Sequence, residues 1–412
     1  MGRGTNLPAV GGYNQTVILD LIRRSADGAS RVELAEQTGL SAQTISNISR
    51  RLLDSGMVRE AGKSIVGPGK PRTILQLSPE GRYAVGVHLD PSVITFVLLN
   101  LEGQIVAHSR SRTPSDVRPA DVVNSMASAI SALVRTSGVP RERIIGVGIA
   151  SPGPIDRERG VVLDAPLLEG WKRVLLRDAL LEATGLPVLL EKDVTAAAVA
   201  ELWTTARTDR DNFVFFYYGT GFGAGIALRH EVVRGRSGNA GETGHILTHT
   251  SPGREAAVCS CGRRGCVGAA IMPAHLVREA IRLGVLAAPD GPLDAGALDE
   301  LFSLLTRRAE VDGAAREILR DAARASADAL VTVLNLLDVD TVVFGGPFWS
   351  RVSDIFLAEI PRLLARHPAL LRVHPVSIVE SSIGEDVAAV GAACLVLDNA
   401  LSPRPSALLI ST

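Results

Sequence analysis

Residues 241–266 read GETGHILTHTSPGREAAVCSCGRRGC. Three of the chain's four cysteines, Cys259, Cys261 and Cys266, fall within eight residues of this stretch, and two histidines, His245 and His249, precede them. Thiolates and imidazole nitrogens are the ligands of a tetrahedral zinc site, and glycines between them let the backbone fold closely around one ion. Unrelated thiols or a disulfide are the alternatives. The tight clustering, in a chain otherwise nearly free of cysteine, favours metal. The remaining residues must show what a metal-braced loop serves.

At 412 residues the chain is long enough for two or three domains, and 46% hydrophobic against 21% charged residues reads as globular. No run of about 18 apolar residues occurs, so no membrane span is expected. The N-terminus lacks the apolar stretch of a secretory signal, and the sparse cysteines fit a reducing cytoplasm. The net charge of -1 hides an asymmetry. Residues 1–79 carry ten Lys/Arg against six Asp/Glu, hence +4, which leaves -5 for the remainder. The excess is small, but it lies where a nucleic-acid-binding module would need it.

That N-terminal part has helical apolar spacing over 14–26, with Asn14 as the expected cap. Ser30 caps a short second helix with Glu33 three residues on, as in a capping box. Gly39 ends it, and Ser41 caps a third helix whose Ile45, Ile48, Leu52 and Leu53 form one apolar face. Two short helices across a tight turn make a helix-turn-helix. The exposed face offers Gln43, Thr44, Ser46, Asn47, Arg50 and Arg51, whose side chains can meet base edges or phosphates. Strands at 57–58 and 74–77 flank a basic Gly/Pro hairpin, a wing that can lay Lys70 and Arg72 along a DNA backbone or minor groove.

From Tyr83 the composition changes to strand-like apolar runs alternating with helical segments, an α/β pattern. The strand at 144–150 runs into Ser151-Pro152-Gly153-Pro154-Ile155-Asp156, a loop placed to meet a ligand. Asp193 stands at a strand-to-helix junction, where a helix cap is the favoured role over general base or hydroxyl ligand. The alternating glycines of 219–225 can present N–H groups to phosphate, or simply turn a hairpin. Cys394, on an apolar helix, reads as core packing.

In order along nearly the whole chain, ELAEQTGLSAQTISNISRRLLDSGMV, GPGKPR, SPGPID, KDVTAAAVAE, GTGFGAGI, GETGH, CSCGRRGC and VVFGG match a known pattern. The chain resembles the ROK family (repressor, open reading frame, kinase) in its regulator form. The resemblance implies a winged helix-turn-helix over 1–79 and a two-lobed, actin-like, ribonuclease-H-type ATPase fold. Lobe 1 would span 80–200, completed by a helix near 385–400. Lobe 2 would span 201–384 with the zinc site and an oligomerisation surface, and a flexible tail would follow from 401. The family usually forms a homodimer or tetramer. It assigns His245, Cys259, Cys261 and Cys266 to structural zinc, Asp193 to the position of the kinases' general base, and Glu242 and His245 to a sugar's hydroxyls.

The sequence departs from that pattern in places that bear on function. The kinases' glycine- and lysine-containing phosphate loop is here Asp90-Pro-Ser-Val-Ile-Thr, so no kinase activity is expected. Three hydroxyl-binding positions are changed, to Leu167, Lys192 and Gly268. A site built for hydroxyls binds poorly without its polar partners, which argues against simple glucose binding. Lys192 can pair with an anionic sugar phosphate or sugar acid near Gly153, or merely bridge to Asp193 or Glu191. Thirteen residues separate His245 from Cys259, so His249 competes as fourth zinc ligand; the GETGH context favours His245, with the extra residues looping out at Pro252-Gly253.

The expected function is a DNA-binding transcriptional repressor acting on a palindromic operator, with a carbohydrate-related effector. Its alternatives are a sugar kinase carrying a winged helix and a ligand-independent regulator whose ROK domain only oligomerises.

Overall fold

The structure, a computed structural model, describes residues 7–64, 71–114, 118–165, 168, 170–204, 210–251, 254–293, 295–371 and 373–402. Lys70, Leu167, Pro252, Gly253 and the tail from residue 403 lie outside the described residues.

The first module comprises α1 (Leu7–Arg24), β1 (Ala29–Ser30), α2 (Arg31–Thr38), α3 (Ala42–Asp54), β2 (Val58–Ser64) and β3 (Arg72–Leu77), with antiparallel sheet order β1-β3-β2. The capping box at α2 is complete: Glu33 N–H donates to Ser30 Oγ at 3.3 Å and Ser30 N–H to Glu33 Oε2 at 2.7 Å. Thr44 N–H donates to Ser41 Oγ at 3.2 Å, which starts α3. Ile45, Ile48 and Leu52 are buried with Ile18, Ile22 and Leu34 in one apolar core. Helix α1 begins at Leu7, so Asn14 is an interior residue and not a cap. Pro8 lies in its first turn, where its fixed φ suits a helix start despite Gly11 and Gly12.

Next come β4 (Tyr83–Leu89), β5 (Val93–Asn100), β6 (Ile105–Arg112), α4 (Pro119–Ser137), β7 (Ile144–Ser151), β8 (Ile155–Asp156), β9 (Val161–Asp164), β10 (Lys172–Val174), α5 (Leu176–Thr184), β11 (Val188–Lys192) and α6 (Asp193–Thr204). The second half contains β12 (Phe213–Tyr218), β13 (Phe222–Leu228), β14 (Glu231–Val232), α7 (Val267–Ile271), α8 (Pro273–Arg282), α9 (Ala295–Arg308), α10 (Gly313–Leu337), β15 (Thr341–Gly345), α11 (Ser353–Arg366), β16 (Ser377–Glu380) and α12 (Val387–Leu401). Each half is built on a five-stranded sheet, ordered β6-β5-β4-β7-β11 and β14-β13-β12-β15-β16. In both, three antiparallel strands are followed by two parallel ones, so the two lobes repeat one topology.

Two helices cross between the lobes. α6 leaves the first sheet and packs on the second, while α12 leaves the second and packs on the first. A boundary at 200–201 therefore cuts through α6, and a tail from 401 is one residue too early, because Leu401 ends α12 and is buried. Separate apolar cores fill the outer face of each sheet. The third core lies between the sheets around α6 and α12 and runs without a break into the winged module. Among the described residues, no helix is long and apolar enough to cross a membrane.

Candidate functional site

A cavity of about 800 Å³ opens between the lobes, lined by Gly153, Lys192, Asp193, Glu242 and His245 among others. The ligand-site residues expected from sequence thus meet in one place. Lys192, at the end of β11, is almost wholly buried, and its ammonium lies 2.6 Å from Glu242 Oε2. Its side-chain partner is therefore neither Asp193 nor Glu191. A Cβ at Gly153 would lie 3.1 Å from Lys192 Cε, so the 151–156 loop presses on the lysine stem.

Asp193 opens α6 and accepts the Val194 N–H at 2.7 Å. Burial pushes its carboxyl up to about 7, against the pull of Lys192 and the Val194 N–H; Asp90 and Glu242 push it further. A Cβ at Gly268 would lie 3.0 Å from Gly244 O and 3.1 Å from its Cα, so α7 packs closely onto the GETGH turn.

The residues that clamp this cleft carry no signal in the sequence. Asn239 accepts the Ile155 N–H at 2.8 Å and donates to Ile155 O at 2.7 Å. Glu191, nearly devoid of exposure, pairs with Arg157 at 3.1 Å and Arg234 at 2.7 Å. Arg278, exposed on α8, lines the same cavity and has no ion-pair partner among the described residues. No local spacing signals these contacts, because they join segments tens of residues apart.

The ligand atoms of His245, Cys259, Cys261 and Cys266 all lie within 4.8 Å of one another. The Cys261–Cys266 sulfur separation is 3.7 Å, close to the roughly 3.8 Å edge of a tetrahedron with metal–sulfur bonds near 2.3 Å. Cys259 Sγ lies 3.4 Å from His245 Nδ1, and all four cysteines of the chain are free thiols. The donor set fits a metal ion. His249 is outside it, exposed and paired with Asp328 at 3.2 Å. The backbone N–H and guanidinium of Arg263 hold the Cys261 thiol down to about 6, favouring the thiolate form that a metal takes. Beyond the cluster, Arg254 ties the loop to Asp321 on α10 at 2.5 Å and to Glu279 on α8 at 3.4 Å.

Directly after β4, both carboxylate oxygens of Asp90 are hydrogen-bonded. Its Oδ1 accepts from Ser92 N–H at 2.8 Å and Ser92 Oγ at 2.6 Å, and its Oδ2 accepts from Thr220 Oγ at 2.6 Å. Thr220 sits in the glycine-rich turn of lobe 2, which here bridges the lobes.

On α3, Gln43, Asn47, Arg50 and Arg51 are exposed, while Thr44 and Ser46 are half-buried. Gln43 Nε2 donates to Asn47 Oδ1 at 3.1 Å, presenting the two amides side by side. Arg50 and Arg51 have no ion-pair partner among the described residues. Arg72 opens β3 opposite Ser64 at the base of the wing.

Residues 84–399 match the ROK family, and residues 14–59 match a winged helix-turn-helix DNA-binding family. The chain belongs to the ROK family. A putative xylose repressor of Caldicellulosiruptor sp. (strain Rt8B.4) is 25% identical over 378 residues, covering 90% of this chain and 92% of the relative. The crystal structure of a ROK family transcriptional regulator, a homologue of E. coli MLC, has a TM-score of 0.76 at 23% identity, over 95% of this chain and 98% of that one. A ROK family glucokinase from Streptomyces griseus, solved with glucose and AMPPNP, has a TM-score of 0.63 at 28% identity, over 76% of this chain and 98% of its own. A ROK domain joined to a winged helix-turn-helix is the make-up of a DNA-binding transcriptional regulator, and the kinase reading is the weaker one.

Proposed function

We propose that this chain is a cytoplasmic ROK repressor whose cleft takes a carbohydrate-related effector bearing an anionic group, and which transfers no phosphoryl group. The observation that carries the reading is the pairing of an open recognition face on α3 with a spent phosphate position. Pro91 has no N–H, the Ser92 N–H is used on Asp90, and Val93 already begins β5. Few donors remain for ATP phosphates, the main source of catalysis in phosphoryl transfer. A dimer or tetramer would set two α3 helices in successive major grooves, so the operator would be palindromic. Gln43, Thr44, Ser46 and Asn47 would read bases; Arg50, Arg51, Lys70 and Arg72 would meet phosphates or a groove edge.

Zinc would sit in the His245–Cys259–Cys261–Cys266 cluster as a structural ion, fixing the wall that carries Glu242. Within the cleft, Lys192 has three donors and, among the described residues, one carboxylate partner, which is more than half exposed. An incoming phosphate or carboxylate can take Lys192 from Glu242 and free Glu242 for the ligand's hydroxyls. Arg278 adds a second cation on the same cavity.

Calorimetry with glucose, xylose and their phosphates tests this on wild type and Lys192→Ala. The expected result is binding of a phosphorylated sugar that weakens at least tenfold in Lys192→Ala. Equal or absent binding throughout would remove the anionic-effector reading and leave the ROK lobes an oligomerisation role. Sugar-dependent ATP turnover above background would restore the kinase.

A further inference from the structure

We propose that α6 and α12 form a sliding plane between the lobes, and that Arg23 resting on Trp203 hands the position of α6 to the DNA-binding module. This rests on the reading of the cleft as a ligand site.

The plane is built from backbone rather than interlocked side chains. A Cβ at Gly391 of α12 would lie 1.8 Å from Ala196 O of α6, and one at Gly225 of β13 would lie 2.2 Å from Val194 O. On the far side of α12, a Cβ at Gly148 of β7 would meet Ala392 O at 1.8 Å. Sheet, α12, α6 and sheet are thus stacked in direct contact, with Ala196, Ala197, Ala200, Ala388, Ala389 and Ala393 buried in the same core. Small residues leave no ridge for one helix to lock into the other. Such an interface accommodates shear, the small displacement of packed helices that accompanies lobe closure.

The two ends of α6 meet different things. Its first turn carries Asp193 beside Lys192, both facing the cavity. Its last turn carries Trp203, about 15 Å away by helical rise. The Arg23 guanidinium of α1 lies 4.3 Å above the Trp203 ring centroid. Arg23 is held there by Asp20, at 2.7 Å from Nη2 and 3.2 Å from Nε, while its buried Nη1 has no hydrogen-bond partner among the described residues. The indole face is the contact left to that cationic edge.

The same helix α1 also contacts α12. The winged module therefore straddles the plane, touching α12 of one lobe and the end of α6, which rides on the other. A shift of α6 along α12 cannot leave α1 seated on both. A cavity of about 320 Å³ at this seam, between Arg23, Ala26 and Gln76 on one side and Leu101, Glu102 and Trp203 on the other, gives α1 room to re-seat.

A substitution cycle tests the coupling without any ligand. The full chain selects an operator duplex from random DNA, and its affinity is measured for wild type, Glu242→Gln, Trp203→Leu and the double variant. Releasing Lys192 at the pocket end should change operator affinity several-fold in wild type and less than twofold beside Trp203→Leu. Trp203→Phe, which keeps an aromatic face for Arg23, should restore most of the response, an outcome that a merely structural Trp203 would not give. A pocket substitution without effect on operator affinity, or an effect undiminished by Trp203→Leu, overturns the proposal. Glucose 6-phosphate and xylose form a parallel arm, with binding read by calorimetry and operator release by anisotropy. Binding retained in Trp203→Leu with release lost supports the coupling. Absence of binding in wild type counts against the ligand reading alone, since the cycle does not depend on it.

Discussion

Asp193 keeps its proton to about pH 7 because burial outweighs the neighbouring Lys192, whereas an unfolded chain releases the same proton near pH 4. Between those values the folded state binds more protons than the unfolded one, so stability falls as pH rises through the window and is level above it. From pH 5 to pH 8 the loss is on the order of 2 kcal/mol. Asp193→Asn keeps the shape and removes the titration. Its urea midpoints at pH 5 and pH 8 should lie closer together than those of the wild type, and an unchanged gap would place the titration elsewhere. This residue was visible in the sequence as a carboxylate at a helix start; it is the first residue of α6 and accepts the adjacent Val194 N–H, not the N–H two or three residues on that a cap takes. Its environment was not visible, since the burial that raises its carboxyl comes only with folding and the further push from Asp90 and Glu242 comes from distant positions. The same limit hid the Lys192–Glu242 pair and the Asn239 clamp, which depend on how the lobes close and not on local spacing. It did not hide the candidate metal ligands, because three of the four sit together in the chain and His245 belongs to GETGH.

The loop that carries the candidate metal ligands is the element most dependent on a few atoms. Between its isolated bridges, Leu247 with Cys266 and Val258 with Arg264, little regular pairing supports it. Contacts such as Arg254 with Asp321 anchor it to α10. Metal binding is therefore expected to contribute folding energy directly. Cys261→Ala should purify without metal and unfold several degrees below wild type, while the adjacent Ser260→Ala keeps both metal and unfolding temperature. Equal metal content in the two variants would show that Cys261 is not a ligand. Elements with strong local signals were legible, as the capping box of α2 and the serine cap of α3 illustrate. Helix α1 starts earlier than its apolar spacing predicts, running through Gly11 and Gly12, which lower the local helix propensity.

At the scale of the whole molecule, the winged module is not a bead on a string. Leu101 N–H donates to Pro79 O at 3.1 Å and Ser78 N–H to Met57 O at 2.9 Å, so the connection between the modules is pinned from both sides. Ile18, Ile22, Leu75 and Leu77 share one continuous apolar core with α6 and α12. Adjoining domains with small polar interfaces move and unfold separately, whereas a shared core makes them cooperative. The three tryptophans can tell these cases apart. Trp171 belongs to the outer core of lobe 1, and Trp349 to that of lobe 2, stacked on Phe344 at 4.6 Å. Trp203 lies at the seam. With Trp171→Phe and Trp349→Phe, fluorescence reports the seam alone, and amide exchange over residues 42–54 reports the recognition helix. Both should lose structure at the same urea concentration, because neither can open without exposing the core they share. If the recognition helix instead unfolds at a clearly lower concentration while Trp203 stays buried, the module is energetically independent. Its orientation on DNA would then be set by the operator rather than by the lobes.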